Sequence, residues 1–567
     1  MKKLLTFLVL ISSLSIPRHS YAQSFQWIER MGGISSALNP GADEMVRQIQ
    51  VDAFGNVYAC GRIRQFADFS GTTVTTYGDY DIFLAKYNCH GGLVWVKTAG
   101  GSATDDAFSL ALDGLGHIYL TGYLEADISI PNTFFDTLLT EYTTDMFLAK
   151  FDTSGNYLWG KFSGPGAQNT NAQGFNIVID VNGNVNVHVS TATAGILFPG
   201  WPVNAAPYIA KFDTSGTLLQ LFTFSSNYSL DATNFVMDAQ NNYFICGFWS
   251  ADTVILGSQT LYNPKPGICV LGYTAKFTST GNLVWVYMLT DTTTLPAGTR
   301  PWGINLDSNS NILLSGKTTQ GLKCGNYIFN NINGFNSTVP FLIKLNQSGQ
   351  PIWAAQGYEQ YVLYSRGGVA LKNSGNSVFS SSYLGSAIFN SDSLPQSFNG
   401  SKDIFLAEVD PNGLMLGAVR LGCTGNKGEP YSTVTDPSDN VYLAGTFNGV
   451  LSANGNSVSS AGGYTDGFIA KYGTICTTGI EEFSNSSNSQ LNIYPNPVSE
   501  TLNISLNDNN INTISILNTL GQAVFKKQVI KNASENIQLS VSTLPPGIYI
   551  IQATGKNNSA TAKFIKE

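Results

Sequence analysis

One phrase returns seven times along the chain at an almost constant interval, and a fixed period of this length is the signature of a repeat architecture. Its copies are Asp81-Ile82-Phe83-Leu84-Ala85-Lys86, Asp145-Met146-Phe147-Leu148-Ala149-Lys150, Tyr208-Ile209-Ala210-Lys211, Tyr273-Thr274-Ala275-Lys276, Phe341-Leu342-Ile343-Lys344, Asp403-Ile404-Phe405-Leu406-Ala407-Glu408 and Asp466-Gly467-Phe468-Ile469-Ala470-Lys471. Their final residues are separated by 64, 61, 65, 68, 64 and 63 positions. Upstream of each lies a Gly/Asn turn between short apolar runs, as in Val51-Asp52-Ala53-Phe54-Gly55-Asn56-Val57-Tyr58. Downstream, a Gly turn leads into an aromatic run such as Asp152-Thr153-Ser154-Gly155-Asn156-Tyr157-Leu158-Trp159, and Trp95, Trp285 and Trp353 hold the same place in their repeats.

Short runs of β-branched and aromatic residues between such turns predict four strands per repeat, in the second repeat Phe108 to Asp113, His117 to Tyr123, Asp145 to Asp152 and Tyr157 to Phe162. A four-stranded unit cannot bury both of its faces alone, so the units must stack, either as an open solenoid or as the closed ring of a β-propeller. The ends of the array favour the ring. Phe25-Gln26-Trp27-Ile28-Glu29-Arg30-Met31-Gly32-Gly33 matches a fourth strand, Leu93-Val94-Trp95-Val96-Lys97-Thr98-Ala99-Gly100-Gly101, but has no strands before it. The seventh repeat ends at Gly473 without a Trp strand of its own. Closure would complete the last unit and remove two exposed sheet edges. The expected fold is therefore all-β: a seven-bladed propeller over residues 23–474, closed by the N-terminal strand.

These D-x-x-G-N, D-x-F-L-A-K and G-x-x-x-W phrases resemble those of the bacterial seven-bladed β-propeller repeat family, over residues 24–474. Repeat three departs from the pattern, with Pro207-Tyr208 in place of Asp-Phe and Leu218-Leu219 where Trp is expected, and repeat six has Leu414-Met415.

Residues 1–22 read as a secretory leader: Lys2 and Lys3, an apolar run from Leu4 to Ile16, and small residues around Ser20-Tyr21-Ala22. That run is shorter than the ~20 residues needed to span a bilayer, so cleavage and a mature chain without a transmembrane segment are expected. Net charge is -8 and becomes about -11 without Lys2, Lys3 and Arg18, which with the absence of basic clusters argues against a nucleic-acid partner. Seven cysteines are spread singly, without a C-x-x-C pair. Zinc is not expected from that spacing; some disulfide pairing is compatible with export, and the spacing assigns none.

A polar stretch over 475–490 reads as a linker. Beyond it, Leu491-Asn492-Ile493-Tyr494-Pro495-Asn496-Pro497, Ile514-Ser515-Ile516-Leu517-Asn518-Thr519-Leu520-Gly521-Gln522, Leu544-Pro545-Pro546-Gly547-Ile548-Tyr549 and Ala562-Lys563-Phe564-Ile565-Lys566 alternate with Asn, Gly and Pro breaks, the pattern of a small β-sandwich over 491–567. The order of phrases resembles the type A C-terminal sorting domain of the type IX secretion system. The resemblance implies passage through the periplasm, recognition of 491–567 by the outer-membrane translocon and a sortase, and delivery to the surface or medium, released or attached to lipopolysaccharide.

Candidate chemistry is sparse. The mature chain has His90, His117 and His188, each in or beside a turn or on a strand, and none has a partner that the sequence identifies. No G-x-S-x-G elbow is present. Asp180-Val181-Asn182-Gly183-Asn184 resembles an oxygen-ligand calcium loop, with Asp180, Asn182 and Asn184 as candidate ligands, but Val189 stands where the bidentate Glu belongs. Asp52, Asp113, Asp238, Asp307 and Asp436 occupy the same turn elsewhere, where an Asp side chain caps the turn's own N–H groups. Capping is the expectation; no catalytic residue and no cofactor is assigned. Trp201, Trp249 and Trp302 fall outside the regular Trp position and are expected mainly in the core, with ligand contact as the alternative. The expected function is a binding or adhesion module for an extracellular glycan or protein, not an enzyme. The alternatives are a structural surface component and a glycan-active hydrolase or lyase.

Overall fold

The computed structural model describes residues 23–476 and 491–567, except 34–42, 126–143, 164–170, 226–229, 264–269, 290–297, 331–337, 360–365, 506–510, 519–522, 529–536 and several gaps of one to three residues. The leader and nearly all of the linker lie outside the described residues. Among the described residues there is no helix.

In the second repeat the strands are Asp106–Leu112, His117–Glu125, Thr144–Asp152 and Tyr157–Phe162, each antiparallel to the next. The first begins two residues earlier than the apolar pattern indicates, because Asp106 is buried in an ion pair. The same ladder recurs as Ala172–Ile179, Val185–Thr191, Ala206–Phe212 and Leu218–Thr223, and again in the following repeats. Middle strands are buried along their whole length, Val339–Leu345 at every residue, because sheets pack on both of their faces. An additional hairpin joins the second and third strands in repeats three to seven, for example Thr253–Leu256 with Gln259–Tyr262. The four-strand pattern omits these hairpins because their strands are only three or four residues long.

The N-terminal strand, Ser24–Gly33, lies where the end defects place it. It pairs antiparallel with Asp466–Gly473, Ile28 opposite Ala470 and Arg30 opposite Phe468. Its last residues, Met31 to Gly33, pair with Phe69, Asp68 and Ala67 of the first repeat. Arg30 spans the same seam, 3.2 Å from Asp466 on one side and 3.2 Å from Asp68 on the other. The innermost strand of repeat one, Met45–Val51, packs against those of repeats two and seven, Asp106–Leu112 and Gly428–Thr435.

Where the fourth strand carries a Trp, that Trp links neighbouring repeats. Its indole N–H donates to a carbonyl in the next repeat's Gly turn: Trp95 to Thr153 (3.2 Å), Trp159 to Thr214 (3.2 Å), Trp285 to Gln347 (3.0 Å) and Trp353 to Pro411 (2.9 Å). Trp27 does the same to Cys89 at 3.1 Å, so the last repeat meets the first as any repeat meets its successor. The pairing corrects the expected Trp positions of the two divergent repeats. Gln220, opposite Lys211, and Gly417, opposite Glu408, take the place that Trp95 holds opposite Lys86; Leu218-Leu219 and Leu414-Met415 lie earlier in their strands or the preceding turn. Phe222 covers Gly281 of repeat four instead of a Trp.

The turn Asp pairs with the Lys that ends the repeated phrase: Lys211–Asp180 at 2.7 Å and Lys344–Asp307 at 2.8 Å. In repeat six the charges are exchanged, Lys372 in the Asp position and Glu408 in the Lys position, 2.7 Å apart. Replacing Lys372→Asp alone sets two carboxylates against each other and is expected to cost about 2 to 3 kcal/mol, while adding Glu408→Lys should restore most of it. Urea denaturation of the two single variants and the double variant measures the coupling, and additive losses would show that the pair does not interact.

The C-terminal domain has two sheets around one core. Asn492–Tyr494, Thr501–Ser505 and Ile537–Ser540 form one, and Ala523–Gln528, Ile511–Leu517, Gly547–Gly555 and Ser559–Lys566 the other. Leu502, Ile504, Ile514, Ile516, Ile551 and Phe564 are buried between them, as the sandwich pattern predicts.

Candidate functional site

The site is built by an irregularity that recurs in the innermost strands. In six repeats the first strand bulges five residues before its turn residue, shifting register between Val46 and Gln48, Ala107 and Ser109, Gly174 and Asn176, Ala232 and Asn234, Pro301 and Gly303, and Pro430 and Ser432. The bulged residues are Arg47, Phe108, Phe175, Thr233, Trp302 and Tyr431, and in repeat six Arg366-Gly367 occupies the corresponding place. A bulge re-aims its side chain out of the ladder. Opposite most of them stands a glycine that has to be one: a Cβ on Gly122 would lie 1.9 Å from the Asp106 carbonyl, and Gly61, Gly247, Gly316 and Gly445 face carbonyls 1.9 to 2.4 Å from such a Cβ.

The bulged side chains border a cavity of about 750 Å³ lined by the innermost strands of all seven repeats. Just beyond the bulges runs a belt of hydrogen bonds from repeat to repeat: Gln48 Oε1 accepts from Leu110 N (2.8 Å), Ser109 Oγ from Ile177 N (3.0 Å) and Ser432 Oγ from Ile49 N (3.3 Å).

At the bulged positions and the corresponding place in repeat six, two arginines and four aromatic rings border the cavity. Arg47 grips the buried Asp106, Nη2 to Oδ2 at 2.6 Å and Nε to Oδ1 at 3.3 Å, and its guanidinium lies 4.9 Å above the Phe108 ring. Phe108 stacks on Phe175 at 5.1 Å, nearly parallel. Arg366 lies between two rings, 5.8 Å from Trp302 and 5.9 Å from Tyr431. Partial desolvation and then repulsion from Arg47 push its pKa below the ordinary arginine value. The Tyr431 hydroxyl donates to Glu429 at 3.2 Å; burial and that carboxylate push its pKa up to about 12, so the phenol is protonated at neutral pH. Glu429 also takes the ammonium of Lys402.

His188 lines the cavity as a buried group packed between Phe175 (5.4 Å) and Phe224 (5.6 Å), and its Nε2 has no hydrogen-bond partner. Burial lowers its pKa to about 4, which makes the imidazole neutral. His117 pairs with the turn carboxylate of Asp113 at 2.6 Å, and His90 is exposed beside Cys89.

The turn set Asp180, Asn182 and Asn184 lies outside this lining. Asp180 Oδ1 accepts from the backbone N–H of Asn182 and of Asn184, both at 2.9 Å, the Asn184 amide donates to the same carboxylate, and Lys211 Nζ stands 2.7 Å from it. Those donors and the ammonium occupy the carboxylate as a capped turn. The side chains that His/Cys/Asp/Glu geometry brings together among the described residues are Cys89, His90 and Cys476, and the two cysteines form a disulfide. Of the three irregular tryptophans, Trp249 is core, Trp201 packs against the core of repeat three and Trp302 reaches the cavity. Sequence reasoning passed over Arg47, Phe108, Phe175, Arg366 and Tyr431. The signal that marks them is positional: a bulky or charged residue five or six places before the turn, with a glycine in the following strand.

Among solved structures, the fold resembles an ulvan lyase (12% identity, 72% of this chain and 92% of that one, TM-score 0.36), puromycin hydrolase (10%, 84% and 61%, TM-score 0.37) and the WD40 domain of SCAP from fission yeast (7%, 78% and 98%, TM-score 0.32). No curated protein matches the chain. Residues 492–567 match the family described as the secretion system C-terminal sorting domain. The chain thus carries at its C-terminus the sorting domain of the type IX secretion system, which marks proteins secreted to the cell surface or outside.

Proposed function

We propose that the repeats close into a seven-bladed propeller of the bacterial repeat family, and that this propeller, exported through its type A sorting domain, binds an extracellular glycan in the mouth of its central channel. Closure is supported by Ser24–Gly33, which pairs with both the last and the first repeat, and by the Trp27 indole contact that continues the inter-repeat series. The observation that carries the binding role is the set of bulged side chains, which aims Phe108, Phe175, Trp302 and Tyr431 at one cavity where regular strands would have kept the ladder unbroken. Aromatic faces with few polar anchors suit the apolar faces of sugar rings. The described lining has one carboxylate, Asp231, whereas glycoside hydrolysis ordinarily uses two, which favours a binder over a hydrolase.

Screening the secreted protein on a glycan array, followed by titration of the best ligand, tests the proposal. The double substitution Phe175→Ala and Trp302→Ala is expected to weaken binding about a hundredfold, close to 3 kcal/mol, in a protein that still folds cooperatively but melts several degrees lower, because both rings are part-buried. An array without a single saccharide ligand would overturn it.

A further inference from the structure

Two arginines face the channel mouth, and they are held in opposite ways. Arg47 spends its donors on Asp106, a carboxylate that is itself fully buried and also lies 3.5 Å from Arg62. Arg366 is exposed and has no carboxylate within ion-pair distance among the described residues. What holds it is aromatic: Trp302 and Tyr431 lie on it at nearly equal distances, an arrangement that supports a guanidinium by its faces and leaves its edge of N–H donors open. The neighbouring Tyr431 hydroxyl is engaged by Glu429, so the phenol does not compete for those donors.

We propose that Arg366 is the anchor for an anionic group of the ligand, a carboxylate or a sulfate carried on a saccharide whose ring lies against Trp302. A fork of donors fits either oxyanion in bidentate fashion. The electrostatics agree: Arg366 feels the positive charge of Arg47, and an arriving anion relieves that repulsion. Three carboxylates lie within electrostatic reach of Arg366 without pairing to it: Asp106 is held by Arg47 and Glu429 by Lys402, which leaves Asp231 of the lining as the one that would oppose an anion placed on its side. This inference rests on the channel mouth being a glycan site, and its test separates the two.

The secreted full-length protein is titrated calorimetrically with galacturonate oligosaccharide, its neutral methyl ester, dextran sulfate and unsulfated dextran. At least one charged member is expected to bind about tenfold or more tighter than its neutral counterpart, and to weaken as ionic strength rises from roughly 0.05 to 0.3 M. Which pair shows the difference distinguishes carboxylate from sulfate. Arg366→Gln should abolish the preference for charge while weakening the neutral saccharide only about twofold, Arg366→Lys should keep part of the preference, and both variants should melt close to the parent because the side chain is exposed. Equal binding of charged and neutral forms, or an unchanged preference in Arg366→Gln, overturns the anionic anchor while leaving a glycan site standing. Absence of binding to all four probes together with an empty array overturns both.

Discussion

Deleting Ser24–Gly33 is expected to lower the thermal midpoint of the repeat domain by roughly 10 °C and to make the protein aggregate. Three losses combine. The strand's antiparallel ladder with Asp466–Gly473 disappears and leaves that buried middle strand as an edge. Trp27, 8% exposed, no longer fills the space over Gly91 between the last and first repeats, and removal of a buried indole costs about 3 to 5 kcal/mol. Arg30 no longer separates Asp466 from Asp68, which leaves Asp466 buried without its guanidinium. The bared edge can pair with a second chain, which is how an open sheet aggregates. Calorimetry and light scattering of the deletion variant check both effects. A variant that melts like the parent and scatters no more light would show that the array is held without this strand, as an open solenoid would be.

The second large effect concerns the disulfide between Cys89 and Cys476, which are separated by 387 residues. It fastens a turn of repeat one to the segment just after Asp466–Gly473, beside the Trp27 indole bonded to the Cys89 carbonyl. A loop of this size restricts the unfolded chain strongly, and the chain-entropy treatment puts the stabilisation at about 6 kcal/mol as an upper figure, with measured disulfides more often near 2 to 4. Reduction, or the double substitution Cys89→Ser and Cys476→Ser, should therefore shift the denaturant midpoint downward by an amount equivalent to about 3 kcal/mol or more. Unlike the strand deletion, it should not cause aggregation, because no sheet edge is exposed. The other described cysteines, Cys60, Cys246, Cys324 and Cys423, are buried and unpaired, so among them the reductant acts on this bond alone. A reduced protein with the parental midpoint would disprove the stabilising role.

Repeat length, strand succession and the complementary ends were legible because each depends on short stretches: a β-branched and aromatic run marks a strand, and Asp, Asn and Gly mark its turn whatever lies across the sheet. The pairing of Ile28 with Ala470 was legible for the same reason, since a fourth strand without neighbours and a third strand without a successor are visible on a single line of letters. The sorting domain was legible through separate phrases near the C-terminus, and residues 492–567 bear it out. By contrast, the Trp position in repeats three and six was misplaced because local hydrophobicity does not count residues across a turn; only the partners of Lys211 and Glu408 identify Gln220 and Gly417.

The candidate site depended on tertiary structure almost entirely. Arg47 and Arg366 look alike as letters, yet one is spent on Asp106 and the other is open between Trp302 and Tyr431, partners 64 and 65 residues away. His188, one of three histidines on alternating or turn patterns, became the buried unpartnered one because Phe224, from the end of the same repeat, closes over it. Cys89 found Cys476 across most of the chain for the same reason that Ser24–Gly33 found Asp466–Gly473: the last repeat meets the first. By itself the sequence determined which segments become strands and where the array begins and ends, since those follow from local pattern and backbone sterics. Which side chains share the cavity was decided only when the packed sheets brought residues a full repeat apart to its lining, and the bulges turned them toward it.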